Sequence, residues 1–139
     1  MDLGGVQFID GVTFDYHNLS HHGRDPEKMA QLRIIEGEIF KAYRDFLTKL
    51  RDSKEDESNL LDRTMVYMGS NLGNGSSHGN RNMPAILAGG GFKHGQRLVF
   101  DEKNNYPLTN LYVSMLNRLG IEVDRFASGT TQMRGLEMV

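Results

Sequence analysis

The longest regular pattern lies between Pro26 and Asp52. Apolar residues recur there at Leu32, Ile35, Ile39, Tyr43, Phe46 and Leu50. The steps are three or four residues, which makes one stripe at the helical period. Asp25 suits an N-cap and Pro26 the first helical position, so the spacing predicts an amphipathic helix over 26–52. Glu36, Lys41, Arg44, Lys49 and Arg51 largely occupy its other faces. A second stripe, Leu108, Leu111, Tyr112, Met115, Leu116 and Leu119, predicts a helix over 107–119, with Gly120 where a C′ glycine belongs.

Shorter runs predict strands. Thr64–Met68 is β-branched and aromatic and reads as a buried strand; Pro84–Ala88 and Arg97–Phe100 read as two more. Residues 1–24 show no clear helix. Gly4, Gly5 and Gly11 separate short extended pieces such as Val6–Ile9 and Val12–Phe14. The polar run 52–59 predicts an exposed loop. The tail from Ile121 to Val139 holds short pieces without a clear order, and no internal repeat appears. Helix, loop and strand in that order form half of an α/β unit. The Gly-, Ser- and Asn-rich stretch 69–83 then sits at the carboxyl end of a strand, where open α/β sheets bind ligands.

Composition narrows the classes. A length of 139 residues suits one domain, and 38% hydrophobic with 24% charged residues describes a globular chain. A net charge of −2 without a basic stripe argues against nucleic-acid binding. No apolar run is long enough for a membrane span. The first ten residues have neither the basic start nor the apolar core of a signal peptide. Cysteine is absent, which removes disulfides and thiolate-ligated zinc and leaves the redox compartment open. Two excesses remain: 16 glycines, and three of the five histidines within six residues.

The histidines stand in Asp15-Tyr16-His17-Asn18-Leu19-Ser20-His21-His22. Imidazole nitrogen and carboxylate oxygen hold zinc, manganese or iron where thiolates are lacking. His17 and His21 share a side whether the segment is helical or extended. His22 points elsewhere, as an acid/base or a group that orients the ligands. The structural alternative is that these rings only bond backbone carbonyls or face solvent. Ser20 beside His21 offers a nucleophile pair, although sequence neighbours rarely reach that geometry. His78, in the second glycine-rich stretch, can supply a distant nitrogen, while Asn74-Gly75 before it is a tight-turn signal. Gly90 and Gly95 bracket four residues, but Gln96 stands where a phosphate-loop lysine is needed, and His94 interrupts the dinucleotide glycine pattern. A turn explains that segment, with Lys93 and His94 left as minor anion contacts. The sequons at Asn18 and Asn74 are read as chance matches.

His17-Asn18-Leu19-Ser20-His21-His22 resembles the signature of an uncharacterised bacterial family defined by His-x-x-Ser-His-His. Leu60–Tyr67, the stretch from Gly73 through His78 to Asn82–Gly90, and Pro107–Leu111 resemble that family's strand entry, loop and late helix, so the resemblance covers roughly residues 15–136. The family is similar to the alkaline phosphatase and sulfatase superfamily. That likeness implies part of a central sheet flanked by helices, and a metal site on loops at its carboxyl edge. It implies that 1–139 is a single domain forming the C-terminal portion of a larger one. It implies a divalent metal (zinc, manganese or calcium) on Asp15, His17, His21 or His22, and His78, with Asn71 as a weaker neutral ligand; Asn71 and Leu72 stand where relatives carry an Asp-His pair. The superfamily's nucleophile has no counterpart here.

Two functions follow from these expectations. One is a metal-binding hydrolase-like domain acting on phosphate or sulfate esters, with His22 and Ser20 as catalytic candidates. The other is a non-catalytic domain that keeps the scaffold and assembles with itself or with an N-terminal half; a large exposed apolar face on the long helix would favour it. The resemblance implies a periplasmic or exported location.

Overall fold

The computed structural model describes residues 9–104 and 106–138. The pieces expected before Ile9 lie outside the described residues. In chain order the elements are α1 (Tyr16–Ser20), α2 (Pro26–Asp52), β1 (Lys54–Glu55), β2 (Ser58–Asn59), α3 (Leu60–Arg63), β3 (Val66–Gly69), β4 (Ala85–Ala88) and α4 (Thr109–Arg118). They divide between two compact units: the chain up to Lys49 with Ser70–Met83, and Leu50–Gly69 with Pro84 onward.

In the first unit α2 has the expected bounds. Asp25 Oδ1 accepts from the backbone N–H groups of Glu27 (2.8 Å) and Lys28 (3.1 Å), which satisfies two donors of the first turn. Ile35 packs with Val12 and Leu19, and Ile9 and Leu32 close the cluster. The Gln31 side chain is buried beside it. Its Oε1 accepts from Thr13 N and Oγ1 and from Phe14 N, and so fixes the segment entering α1. Farther along, the stripe loses its cover: Ile39 and Phe46 are exposed, as is Phe40 beside them. Helix α1 was not expected. It exists because Asp15 Oδ1 caps Asn18 N–H at 2.9 Å and Leu19 is fully buried, too few turns for a periodicity to register.

The second unit is built on hairpins and α4. The run 52–59 is exposed as expected but not irregular: β1 and β2 pair antiparallel around Asp56, which takes a φ of +51°. β3 and β4 also pair antiparallel, Val66 opposite Ala88 and Gly69 opposite Ala85. β3 starts at Val66 because Thr64 caps α3. Among the described residues no sheet exceeds two strands. The chain is mixed α/β, with small antiparallel sheets. Arg97–Phe100 forms no strand. Leu98 lies against Gly135 and Phe100 stacks on Tyr106 at 4.6 Å, so side-chain anchors replace a ladder.

Gly89, Gly90 and Gly91 end β4 with three positive φ values. A β-carbon on Gly89 would strike the carbonyls of Leu61 and Thr64. α4 buries Leu111 and Val113, together with two polar groups, Asn110 and Ser114, while Leu119 is 64% exposed and leaves the expected stripe. Asn110, 1% exposed, accepts at Oδ1 from Thr130 N (3.0 Å) and Thr131 N (3.4 Å). Gly120 ends α4 as expected: Gly120 N donates to Asn117 O and Ile121 N to Leu116 O, both at 3.0 Å.

Candidate functional site

The histidine cluster assembles inside the first unit. Helix α1 puts His17 and His21 one turn apart, with ring centroids 4.8 Å from each other. His21 is the C-cap of α1, its N–H bonded to His17 O. From the other side comes the tight loop 73–79. Asn74 and Gly79 bridge, and Gly73 N and Asn74 N both donate to Gly79 O. A β-carbon on Gly73 would collide with the Arg81 carbonyl, so this narrow closure requires glycine. Asn74 Oδ1 also accepts from Ser77 N at 3.0 Å. The turn forces His78 into the left-handed region, φ +55°, which few non-glycine residues occupy. Gly75 lies against Ser20, and Gly23 N–H donates to Ser76 Oγ at 3.4 Å.

This places the His78 ring edge-on to His21, centroids 4.7 Å apart, with the two Nε2 atoms separated by 3.0 Å. Such a pair has two chemical explanations. Neutral rings can share one hydrogen bond, one nitrogen donating and the other accepting. Alternatively, two nitrogens on one tetrahedral zinc, each at about 2.0–2.1 Å, lie roughly 3.3 Å apart, so the pair is already near a ligand–ligand edge. Two imidazoles suit zinc better than calcium, which prefers oxygen cages. Among the described residues no three His, Asp or Glu side chains already converge as a metal-holding group. Two imidazole nitrogens approach one another, and the ring of His17 lies beside that of His21.

The other expected residues do different local work. Asp15 lines the same open cleft of about 470 Å³ as His17 and His21, but its Oδ1 caps α1. Ser20 Oγ donates to His17 O at 2.7 Å, so its proton goes to a carbonyl of its own helix rather than to an imidazole. His22 Nδ1 accepts from Arg24 N at 3.0 Å, which leaves Nε2 as the proton-bearing nitrogen of the neutral ring and ties the turn through Arg24, φ +69°. Asn71 is exposed at the start of the loop. His94 Nε2 accepts from Gly89 N at 2.9 Å, and Lys93 pairs with Glu137 at 2.8 Å. Both residues thus hold the second unit's own chain.

Sequence reasoning missed Lys28 and Asn18. Lys28 also lines the cleft; its Nζ donates to Asn18 Oδ1 at 2.8 Å and stands 5.7 Å from the Phe14 ring centroid. A signal existed: Lys28 precedes Leu32, Ile35 and Ile39 at helical spacing, a charge on the core-facing stripe. No known protein family, curated protein or solved structure matches the chain.

Proposed function

We propose that the chain is a metal-binding, hydrolase-like domain of the alkaline phosphatase and sulfatase kind, acting on a phosphate or sulfate ester. The observation that carries this is the 3.0 Å approach of His21 Nε2 to His78 Nε2, held by a loop that keeps His78 at a positive φ. His21 and His78 would be the metal ligands, with His17 as the adjacent third donor. A bound divalent metal would supply Lewis-acid polarisation of the ester and a water of lowered pKa. His21 is held by the C-terminus of α1, and His78 by the glycine closure of its loop. His22, with Nδ1 engaged by Arg24 N–H, has Nε2–H to donate toward a leaving oxygen. Ser20, donating to the His17 carbonyl, supports α1 instead of acting as nucleophile. Asn71 remains a candidate neutral oxygen donor, and Asp15 a carboxylate at the cleft edge.

The test is metal content per chain by mass spectrometry after incubation with zinc and with manganese. It compares wild type with a His17→Ala, His21→Ala double variant. About one metal per chain, lost in the variant, is the expected result and would justify a screen of phosphate and sulfate esters. A wild-type chain without metal would overturn the proposal.

The exposed Ile39, Phe40 and Phe46 on α2 favour a second reading: a non-catalytic domain that self-associates. Sedimentation equilibrium would then give a dimer that Phe46→Glu converts to a monomer. A monomeric wild type would remove this reading.

A further inference from the structure

The C-terminal part of α2 carries an apolar face that the core cluster does not use. Leu32 and Ile35 pack inward, whereas Ile39, Phe40 and Phe46 are 41%, 49% and 48% exposed. At 3.6 residues per turn, Ile39, Tyr43, Phe46 and Leu50 form one stripe, and Phe40 and Leu47 lie along one of its edges. Contiguous apolar surface of this kind marks a contact with another molecule. Charges frame the stripe in a regular way. Glu36 and Arg51 sit on the edge that carries Phe40 and Leu47, and Glu38 and Lys49 sit on the opposite edge. The acidic residues stand toward the N-terminal end of the stripe and the basic residues toward its C-terminal end. Glu36 and Arg51 are centred midway between Tyr43 and Arg44. Glu38 and Lys49 have the same centre, and so do Phe40 and Leu47.

We infer that this stripe is the interface of an antiparallel homodimer, in which α2 of a second copy lies along it about a twofold axis between Tyr43 and Arg44. This rests on the self-association reading above and adds its orientation and register. A twofold interface is isologous, so every contact between two positions occurs twice. In an antiparallel pair each edge of the helix meets the same edge of the copy. Glu36 then faces Arg51 of the partner subunit, Glu38 faces Lys49 of the partner subunit, and Phe40 faces Leu47 of the partner subunit. A parallel pair would instead set acid against acid and base against base, which selects against it. A partner of different sequence would need no such symmetry in this chain. The shared centre of the charged and apolar pairs therefore identifies a second copy. Within the chain Glu38 pairs with Lys41 and Arg51 with Asp52, and all four side chains are exposed, so exchanging these ion pairs for pairs across the interface costs little.

The experiment is sedimentation equilibrium of the full chain at low ionic strength. It compares wild type, Glu36→Lys with Glu38→Lys, Lys49→Glu with Arg51→Glu, and the fourfold variant that combines both double changes. Each Glu→Lys substitution adds two charges, so the first double variant moves the formal net charge from −2 to +2. Overall repulsion between copies keeps its magnitude there, and the dimer constant reports on the interface. Each double variant should dimerise at least about tenfold more weakly than wild type, because every charge contact across the interface turns from attraction to repulsion. The fourfold variant restores opposite charges at each contact and should return to within about threefold of wild type. It contains every substitution of the double variants, so its recovery excludes a folding defect as the cause of their weakness. A wild-type dimer that neither double variant weakens, or a fourfold variant as weak as the doubles, overturns the antiparallel register and leaves self-association standing. A monomeric wild type removes both.

Discussion

Replacing His78 by asparagine separates the imidazole from the loop that presents it. Asparagine is, with histidine, among the few residues that accept a left-handed backbone, so the φ of +55° at position 78 survives the change. The Asn74–Gly79 closure depends on backbone bonds and should also survive. What is lost is one nitrogen, 3.0 Å from His21 Nε2. Without metal, that nitrogen contributes at most one exposed neutral hydrogen bond, on the order of 0.5–1 kcal/mol. For a chain of this length that lowers Tm by roughly 2–5 °C. With metal the difference is larger. Removing groups that merely orient a ligand weakens metal affinity about 10- to 100-fold, so removing a ligand should weaken it by ~100-fold or more. At a zinc concentration of about 100 Kd, binding stabilises the wild type by roughly 2.7 kcal/mol. That corresponds to a rise in Tm of about 10 °C. At the same zinc concentration a 100-fold weaker variant gains only about 0.4 kcal/mol, a shift of roughly 1–2 °C. The assay is scanning calorimetry with and without zinc, alongside competition against a chromophoric chelator. Equal zinc-induced shifts in wild type and His78→Asn would refute the assignment of His78 as a ligand and leave the 3.0 Å contact as an ordinary imidazole hydrogen bond.

Other substitutions test the scaffold. Gly73→Ala puts a methyl into the Arg81 carbonyl, so the loop must open; the His21 and His78 ring resonances in NMR should lose their mutual contact while α2 stays folded. Asn110→Ala leaves the part-buried bonds of Thr130 N–H and Thr131 N–H without their acceptor and should cost about 1–3 kcal/mol in urea unfolding. Tyr43 has a buried hydroxyl with no hydrogen-bond partner among the described residues, so Tyr43→Phe should be neutral or stabilising by up to ~1 kcal/mol in the same assay. Burial, and then the neighbouring Tyr112 hydroxyl, push the Tyr67 phenol up to about 12. Unfolded tyrosine ionises near pH 10, so Tyr67 keeps its full contribution below that pH and loses it as the pH rises from about 10 through 12. Tyr67→Phe should flatten the fall of stability across that window, as followed by alkaline denaturation.

How much could be read from the sequence depended on the length of each pattern. α2 was legible to the residue because its stripe runs from Leu32 to Leu50 at helical spacing and Asp25-Pro26 marks its start. The Gly120 cap of α4 was legible for a similar reason: one residue type dominates that backbone position. α1 was not legible, since five residues carry less than two turns and its stability comes from Leu19 being buried against Ile35 and Val12. Arg97–Phe100 is a short run with a strand's residue types, yet a strand also needs a neighbour to bond to, and its residues are anchored by side chains instead. The buried face of α4 was misread in part because Asn110 and Ser114 look polar in sequence. They are inside because each accepts from a tail backbone N–H, Thr130 and Met133 respectively, and local periodicity cannot reveal such a partner.

The candidate site follows the same physical division. His17 and His21 share a side in helix or strand, so their pairing was independent of knowing α1. The approach of His78 was expected from chemistry alone, as a further nitrogen, and the geometry adds its cause: a four-residue turn between Asn74 and Gly79, closed at Gly73 where no side chain fits. Asp15, Ser20 and His22 show the opposite case. Each has donors or acceptors suited to catalysis, and each has an atom committed to the backbone within three residues of itself. A short polar side chain next to a helix end meets unpaired backbone groups first, so the density of polar residues in this motif reflects the construction of α1 as well as any chemistry. The groups whose positions local backbone needs do not explain are His21, His78 and Lys28. His78 takes a positive φ, as Arg24 and Asn82 of the same unit do, and Lys28 stands in the first turn of α2, against the helix dipole. The His21–His78 contact at 3.0 Å joins α1 to the loop 73–79, and no neighbouring backbone group accounts for it.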